Sequence, residues 1–244
     1  MSKLPKITIF FWIIKVCCTT LGETAGDALS MSLDLGYLVS TAIFAAIVIA
    51  AVGLQIRAKQ FHPFLYWFTI IATTTVGTTM ADFATRSLGI GYTGGSAILL
   101  TLVIASLLIW RWAMGSVSVD HIETAKGELF YWITIIFSQT LGTALGDWFA
   151  DTADFGYLGA AAVFGAILLI VVALYYFTSI SRVILFWVAF ILTRPLGAVV
   201  GDFLDKPFDE GGLNLSRFVA SAVLIAIIAA CILIFPQKAS EKPH

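Results

Sequence analysis

A glycine and an aspartate five residues apart recur four times in this 244-residue chain, each time within an apolar run. The copies are Leu21-Gly22-Glu23-Thr24-Ala25-Gly26-Asp27, Val76-Gly77-Thr78-Thr79-Met80-Ala81-Asp82, Leu141-Gly142-Thr143-Ala144-Leu145-Gly146-Asp147 and Leu196-Gly197-Ala198-Val199-Val200-Gly201-Asp202. Trp12, Trp67, Trp132 and Trp187 each stand ten residues before the first Gly, and the Asp follows the Trp by fifteen. The chemistry on offer is that of carboxylate oxygen, which binds cations or protons. Glu23 adds a fifth carboxylate one turn before Asp27.

Residues four apart share one face of a helix. On that step the four segments read Lys15, Thr19, Glu23, Asp27; Thr74, Thr78, Asp82, Arg86; Gln139, Thr143, Asp147, Asp151; and Arg194, Ala198, Asp202, Lys206. A charged group facing lipid costs at least ~2.5 kcal/mol on the lenient insertion scale, so the four stripes are expected to face one another. Gly22/Gly26, Gly142/Gly146 and Gly197/Gly201 are GxxxG pairs and Gly77/Ala81 is their small-residue equivalent, which allows close backbone approach. The expected candidate metal ligands are Glu23, Asp27, Asp82, Asp147 and Asp202. Thr19, Thr74, Thr78, Gln139 and Thr143 are candidate neutral ligands, although such hydroxyls often bond their own backbone.

Each Asp stands about 20 residues into its helix, near the far end at 1.5 Å per residue. Bonding to backbone N–H groups in the next turn is therefore an alternative to ligation. Arg194, followed by Pro195, has Thr19, Thr74 and Gln139 as equivalents. It reads as a counter-charge to Glu23 or an Asp, or as half of a fixed ion pair, and the proline can free a carbonyl in the preceding turn. Lys15 is a second counter-charge or snorkels. The four Trp read as interfacial anchors or as packing against the neighbouring even helix.

The elements that position these residues follow from composition. Hydrophobic residues make up 59% and charged residues 12%, and mean hydropathy is +0.96, which excludes an ordinary soluble domain. Apolar segments of spanning length fall at about Ile7–Leu29, Gly36–Ile56, Phe64–Thr85, Tyr92–Trp112, Leu129–Ala150, Tyr157–Thr178, Ser181–Phe203 and Leu213–Phe235. The fold expected is an all-α membrane protein of eight transmembrane helices, arranged as four tandem hairpins in parallel pseudo-symmetry, odd helices inside and even helices outside. The first run is one copy of the repeat, so it is a retained helix and not a cleaved signal. The pattern Asp34-Leu35-Gly36-Tyr37 returns 120 residues later as Asp154-Phe155-Gly156-Tyr157. Two halves, 1–118 and 119–244, follow, and rocking of one against the other is the expected route to alternating access.

Lys3, Lys6, Arg57, Lys59, Arg111, Lys126, Arg182, Lys238 and Lys242 lie on the side of both termini, against Arg86, Lys206 and Arg217 on the other. The positive-inside rule makes the termini cytoplasmic. Carboxylates are skewed the opposite way: Asp120, Glu123, Glu128 and Glu241 are on the termini side and the other eleven are not. That skew reads as an outer vestibule attractive to cations or as a solvated surface, the latter for Asp205, Asp209 and Glu210 and as an equal alternative for Asp151 and Asp154. Cys17, Cys18 and Cys231 sit in apolar runs without paired spacing. His62, His121 and His244 lie in loops or the tail, which leaves no paired-His haem or HExxH-type site. No nucleotide loop and no nucleophile–base set is visible, so an enzyme and a nucleic-acid partner are not expected.

Tandem two-helix units with an early Trp and a GxxxGD-like end resemble a bacterial membrane-protein family made of four copies of a repeat of unknown function. The resemblance covers Phe11 to about Phe235 and implies the architecture and a bacterial inner-membrane setting, with no activity. Glu23-Thr24-Ala25-Gly26-Asp27 is also loosely similar to the Glu-x-Gly-Asp motif of calcium- and manganese-type cation/proton exchangers, with one extra residue between the acids. Without His or Cys ligands, oxygen donors favour a hard ion such as Mn²⁺, Ca²⁺ or Mg²⁺. The function expected is gradient-driven transport of that cation, in exchange for protons, by a multi-pass protein with no resident cofactor. The alternatives are a non-transporting scaffold, a channel or an organic-cation exporter; a homodimer stays open.

Overall fold

The computed structural model describes residues 3–119, 122 and 124–240. Asp120, His121, Glu123, Glu241, Lys242 and His244, which the sequence places on the termini side, lie outside the described residues. Eight long helices account for the fold: α1 Ile9–Asp27, α2 Gly36–Arg57, α3 Pro63–Asp82, α4 Gly91–Met114, α5 Ala125–Asp147, α6 Gly156–Phe177, α7 Arg182–Asp205 and α8 Arg217–Ile234. The starts are capped in ordinary ways. Thr8 and Thr124 accept from the N–H groups of Phe11 and Gly127, and Pro63 opens α3, where a missing N–H is harmless.

Seven of the eight are long and apolar enough to span a membrane, and the exception is α3. Its hydropathy is lowered by Thr69, Thr73, Thr74, Thr75, Thr78 and Thr79. Those hydroxyls are satisfied locally: Thr69, Thr73 and Thr75 donate to the carbonyls of Leu65, Ile70 and Ile71 at 2.7–2.8 Å. Because α3 stands among other helices, it need not be apolar towards lipid. The protein is a multi-pass membrane protein.

The odd helices form a closed ring in the order α1, α3, α5, α7 and back to α1. Buried residues make up 61%, 67% and 50% of the α1, α5 and α7 spans but only 17–22% of the even ones, which separates an inner ring from an outer shell. Each even helix packs chiefly on the odd helix of the following repeat: α2 on α3, α4 on α5, α6 on α7, and α8 on α1. The hairpins are therefore splayed, and the four units interlock as a ring.

Ring packing repeats with a constant sense. A Cβ on Gly22 would lie 2.1 Å from Thr74 Oγ1, one on Gly142 2.1 Å from Arg194 Cγ, and one on Gly197 2.1 Å from Thr19 Oγ1; one on Gly77 would meet the backbone of Gln139 at 2.9 Å. The first Gly of each unit thus receives the residue three places before the next unit's Gly. At the termini end the seams are aromatic. Phe11 meets Trp67, Tyr66 meets Trp132, Tyr131 meets Trp187 and Phe186 meets Trp12, with centroids 5.3, 5.9, 6.2 and 5.8 Å apart. Tyr66 and Tyr131 share a 2.7 Å hydrogen bond. The expectation that the Trp anchor at the membrane interface is corrected here: Trp67 and Trp132 are buried in seams between odd helices. Trp187 also packs against an even helix, edge-on to Trp110 of α4.

At the other end, three repeats leave the α-helix at the same place. The residues after Asp27, Asp82 and Asp147 form one π-helical turn, closed by bonds from Leu33, Leu88 and Ala153 N–H to the carbonyls of Ala28, Phe83 and Trp148. Such turns concentrate at functional sites. Asp34 and Asp154 then take positive φ, at 54° and 59°, where the second repeat has Gly89 at 69°. Their place in the chain is thus explained by a left-handed turn, which Asp tolerates. The fourth repeat departs: α7 continues to Asp205, and the carbonyl of Phe203 accepts from Leu213 after a loop.

Candidate functional site

Two polar layers cross the ring. In the inner one, Arg194 is fully buried and sits over Gly142, whose missing side chain makes room for it. Its Nη2 donates to Glu23 Oε2 at 2.9 Å, to Thr78 Oγ1 at 2.6 Å and to the Thr143 hydroxyl; Nη1 donates to the Thr19 carbonyl at 3.4 Å. Thr78 also donates to Glu23 Oε2 at 3.3 Å. One guanidinium therefore ties α7 to α1, α3 and α5. Of the partners the stripe pattern allowed Arg194, the structure selects Glu23. Pro195 does not break α7, which runs continuously from Arg182 to Asp205.

The outer layer lies one turn further and holds the repeat aspartates. Lys206 Nζ stands 2.7 Å from Asp27 Oδ2 and 3.1 Å from Asp202 Oδ1. Arg86 bridges the opposite side, with Nε 3.1 Å from Asp82 Oδ1 and Nη2 3.4 Å from Asp147 Oδ2. Arg217 pairs with Asp205 at 2.7 Å and approaches Asp27 at 3.6 Å. Burial opposes the charge on Lys206, which lies just beyond α7, but the carboxylates of Asp202, Asp27 and Asp205 outweigh it and raise its pKa above the ordinary lysine value.

Of the five carboxylates expected to act together, Glu23, Asp27 and Asp202 converge, each offering an oxygen within 4.8 Å of the others'. Asp82 and Asp147 face each other across Arg86 instead. Asp27 Oδ1 is buried without a hydrogen-bond partner. Among the neutral candidates, only Thr78 touches a carboxylate, and Thr143 touches Arg194. Thr19 and Thr74 donate across seams to the carbonyls of Thr193 and Cys18 at 3.1 and 3.2 Å, so their hydroxyls hold the ring together. The Gln139 amide is buried with both polar atoms unpaired.

Two sequence expectations are corrected. Asp205 is buried on Arg217 and is not a solvated surface group. Lys15 neither snorkels nor pairs with a carboxylate: it is fully buried, its Nζ lacks a hydrogen-bond partner, and it lies 4.2 Å above the Phe190 ring. The cations of the outer layer were missed as site residues. For Arg86 and Lys206 the signal was present, since each stands four residues after its Asp. For Arg217, at the start of α8, stripe spacing carries none.

The repeat geometry has its counterpart in a family model, Repeat of Unknown Function (DUF347), which matches residues 10–61, 65–116, 130–181 and 185–236. The chain belongs to this family. Each DUF347 repeat begins two residues before its Trp, so it comprises one ring helix and the shell helix that reaches over to the next repeat. No curated protein and no solved structure matches the chain.

Proposed function

We propose that this DUF347 protein is a gradient-driven carrier of a hard divalent cation, of the Mn²⁺, Ca²⁺ or Mg²⁺ type, with protons as the exchanged ion. It works in the bacterial inner membrane with both termini cytoplasmic, as a monomer or homodimer, and without enzymatic activity. The observation that carries the reading is the buried group Glu23, Asp27 and Asp202, with Asp27 Oδ1 unpaired. Six buried carboxylates, Glu23, Asp27, Asp82, Asp147, Asp202 and Asp205, meet four cations, Arg86, Arg194, Lys206 and Arg217. Lys206 occupies the place of a cation between Asp27 and Asp202, and the transported ion takes those oxygens from it. Movement of the two halves would shift α7 on α1 and α5 on α3 within the ring, and slide α4 on α5 and α8 on α1.

Thermal unfolding in detergent against Mn²⁺, Ca²⁺, Mg²⁺, Zn²⁺, Na⁺ and a lipophilic organic cation tests this. One hard divalent ion at about a hundred times its Kd is expected to raise Tm by roughly 5–10 °C. Asp27→Asn abolishes that shift. No shift from any ion in well-folded protein would remove the carrier reading.

The scaffold reading draws on a different observation, that Asp27, Asp82, Asp147 and Asp202 each already have a basic partner. Lys206→Gln separates the two. A carrier relieved of its internal competitor binds the divalent ion about tenfold more tightly or better, whereas a scaffold loses stability and gains no ion response.

A further inference from the structure

At the end that carries the termini, a groove of about 450 Å³ runs down the outside of the ring between α6 and α1, with α7 as its floor. Its walls are apolar, with Trp12 and Val16 from α1, Leu168 and Val172 from α6, and Ala189 below. Arg182, the first residue of α7, stands at the rim. Its guanidinium lies 4.3 Å from the Tyr175 ring centre, and Nη1 is shielded from solvent with no hydrogen-bond partner. A charged donor left unpaired in apolar surroundings is expensive, so this group calls for an acceptor.

In the first half the equivalent place is filled by protein. There α2 packs on α5 as well as on α3, and Val48 and Val52 join a cluster that reaches Ile136 of α5. Lys3 closes the end of that seam, donating to the carbonyls of Gln55 and Ile56 and pairing with Glu128. Leu168 and Val172, the counterparts of Val48 and Val52 120 residues later, line open space instead. From Arg182 to Thr193 the floor is eleven residues of helix long, or ~16 Å. That is about half of the ~30 Å hydrocarbon thickness, the depth of one leaflet.

We propose that this groove binds one anionic phospholipid of the surrounding bilayer, its phosphate on Arg182 and an acyl chain laid along α7 towards Thr193. The volume lies within the range of about 300–1,000 Å³ usual for small-molecule sites. A guanidinium matches phosphate with paired N–H donors. Lys6, Arg57, Lys59, Arg111 and Lys126 are exposed at the same end, and such basic surfaces gather anionic lipid. The lipid supplies the packing between α6 and α1 that the protein omits.

Native mass spectrometry of detergent-purified protein, with phosphatidylglycerol or phosphatidylcholine of identical chains added and no divalent ion present, reads this separately from any cation response. The wild type is expected to retain one phosphatidylglycerol with about tenfold preference, because the choline cation that phosphatidylcholine carries beside the same phosphate is repelled by Arg182 and the basic residues at this end. Arg182→Gln loses the preference, Arg182→Lys keeps part of it, and Ala189→Phe, which fills the floor, retains neither lipid. Circular dichroism confirms that each variant is folded. Equal retention of the two lipids by the wild type overturns the site, as does a preference unchanged in Arg182→Gln. Retention of no lipid overturns it too.

Discussion

Arg194→Met is expected to lower stability by about 3–5 kcal/mol, the usual result of removing one partner from a buried ion pair. Methionine keeps much of the stem that crosses Gly142, so the loss comes from the guanidinium. Without it Glu23 is an uncompensated carboxylate inside the ring, and Thr78 and Thr143 lose their common donor. Arg194→Lys rescues only part, because one ammonium cannot reproduce a planar fork that reaches three side chains. Arg194→Met combined with Glu23→Gln recovers much of the stability, since a neutral pair leaves no buried charge. Thermal or denaturant unfolding of the four proteins measures this. A double variant no more stable than Arg194→Met alone would show that the arginine holds the ring by something other than its pairing with Glu23.

The inner layer was legible because it rests on local periodicity. A step of four placed Glu23, Thr78, Thr143 and Arg194 on inward faces, and the cost of charge against lipid turned those faces towards one another. What periodicity cannot report is the partner across a seam. That each shell helix lies on the next repeat's ring helix depends on how the far-end turns aim it. Those turns are set by a π-helical loop closure after Asp27, Asp82 and Asp147, which leaves no mark in the apolar pattern. Arg217 and Asp205 lie twelve residues apart across a loop particular to the fourth repeat, so no counterpart elsewhere in the chain revealed their pairing. The groove beside Arg182 was also hidden: Leu168 and Val172 are as apolar as Val48 and Val52, and only the packing of α6 shows that the third unit leaves its seam open.

Gly197 and Gly146, a first and a second glycine of the GxxxG pairs, are expected to differ in tolerance. Gly197→Ala puts a methyl 2.1 Å from Thr19 Oγ1 and 2.9 Å from the Thr19 carbonyl carbon, and backbone cannot yield as a side-chain tip can. Relief would require α1 and α7 to separate, breaking the bond from Thr19 to the Thr193 carbonyl and drawing Glu23 away from Arg194. Overpacking of this kind costs about 1–3 kcal/mol, and here it also strains the pair that holds the inner layer, so the upper end of that range or more is expected. Gly146→Ala meets its nearest neighbour, the Ala198 side chain, at 3.2 Å. The second repeat already carries Ala81 at the equivalent place, so this change is expected to cost well under half as much. Gly53→Ala and Gly165→Ala, in shell helices with nothing within 4 Å, serve as controls and should stabilise by up to about 1 kcal/mol through helix propensity. Unfolding midpoints of the four variants establish the order. Equal losses at Gly197 and Gly146 would mean that these glycines serve general backbone flexibility, whereas a steep loss at the first alone ties the motif to the ring seam that carries the carboxylates.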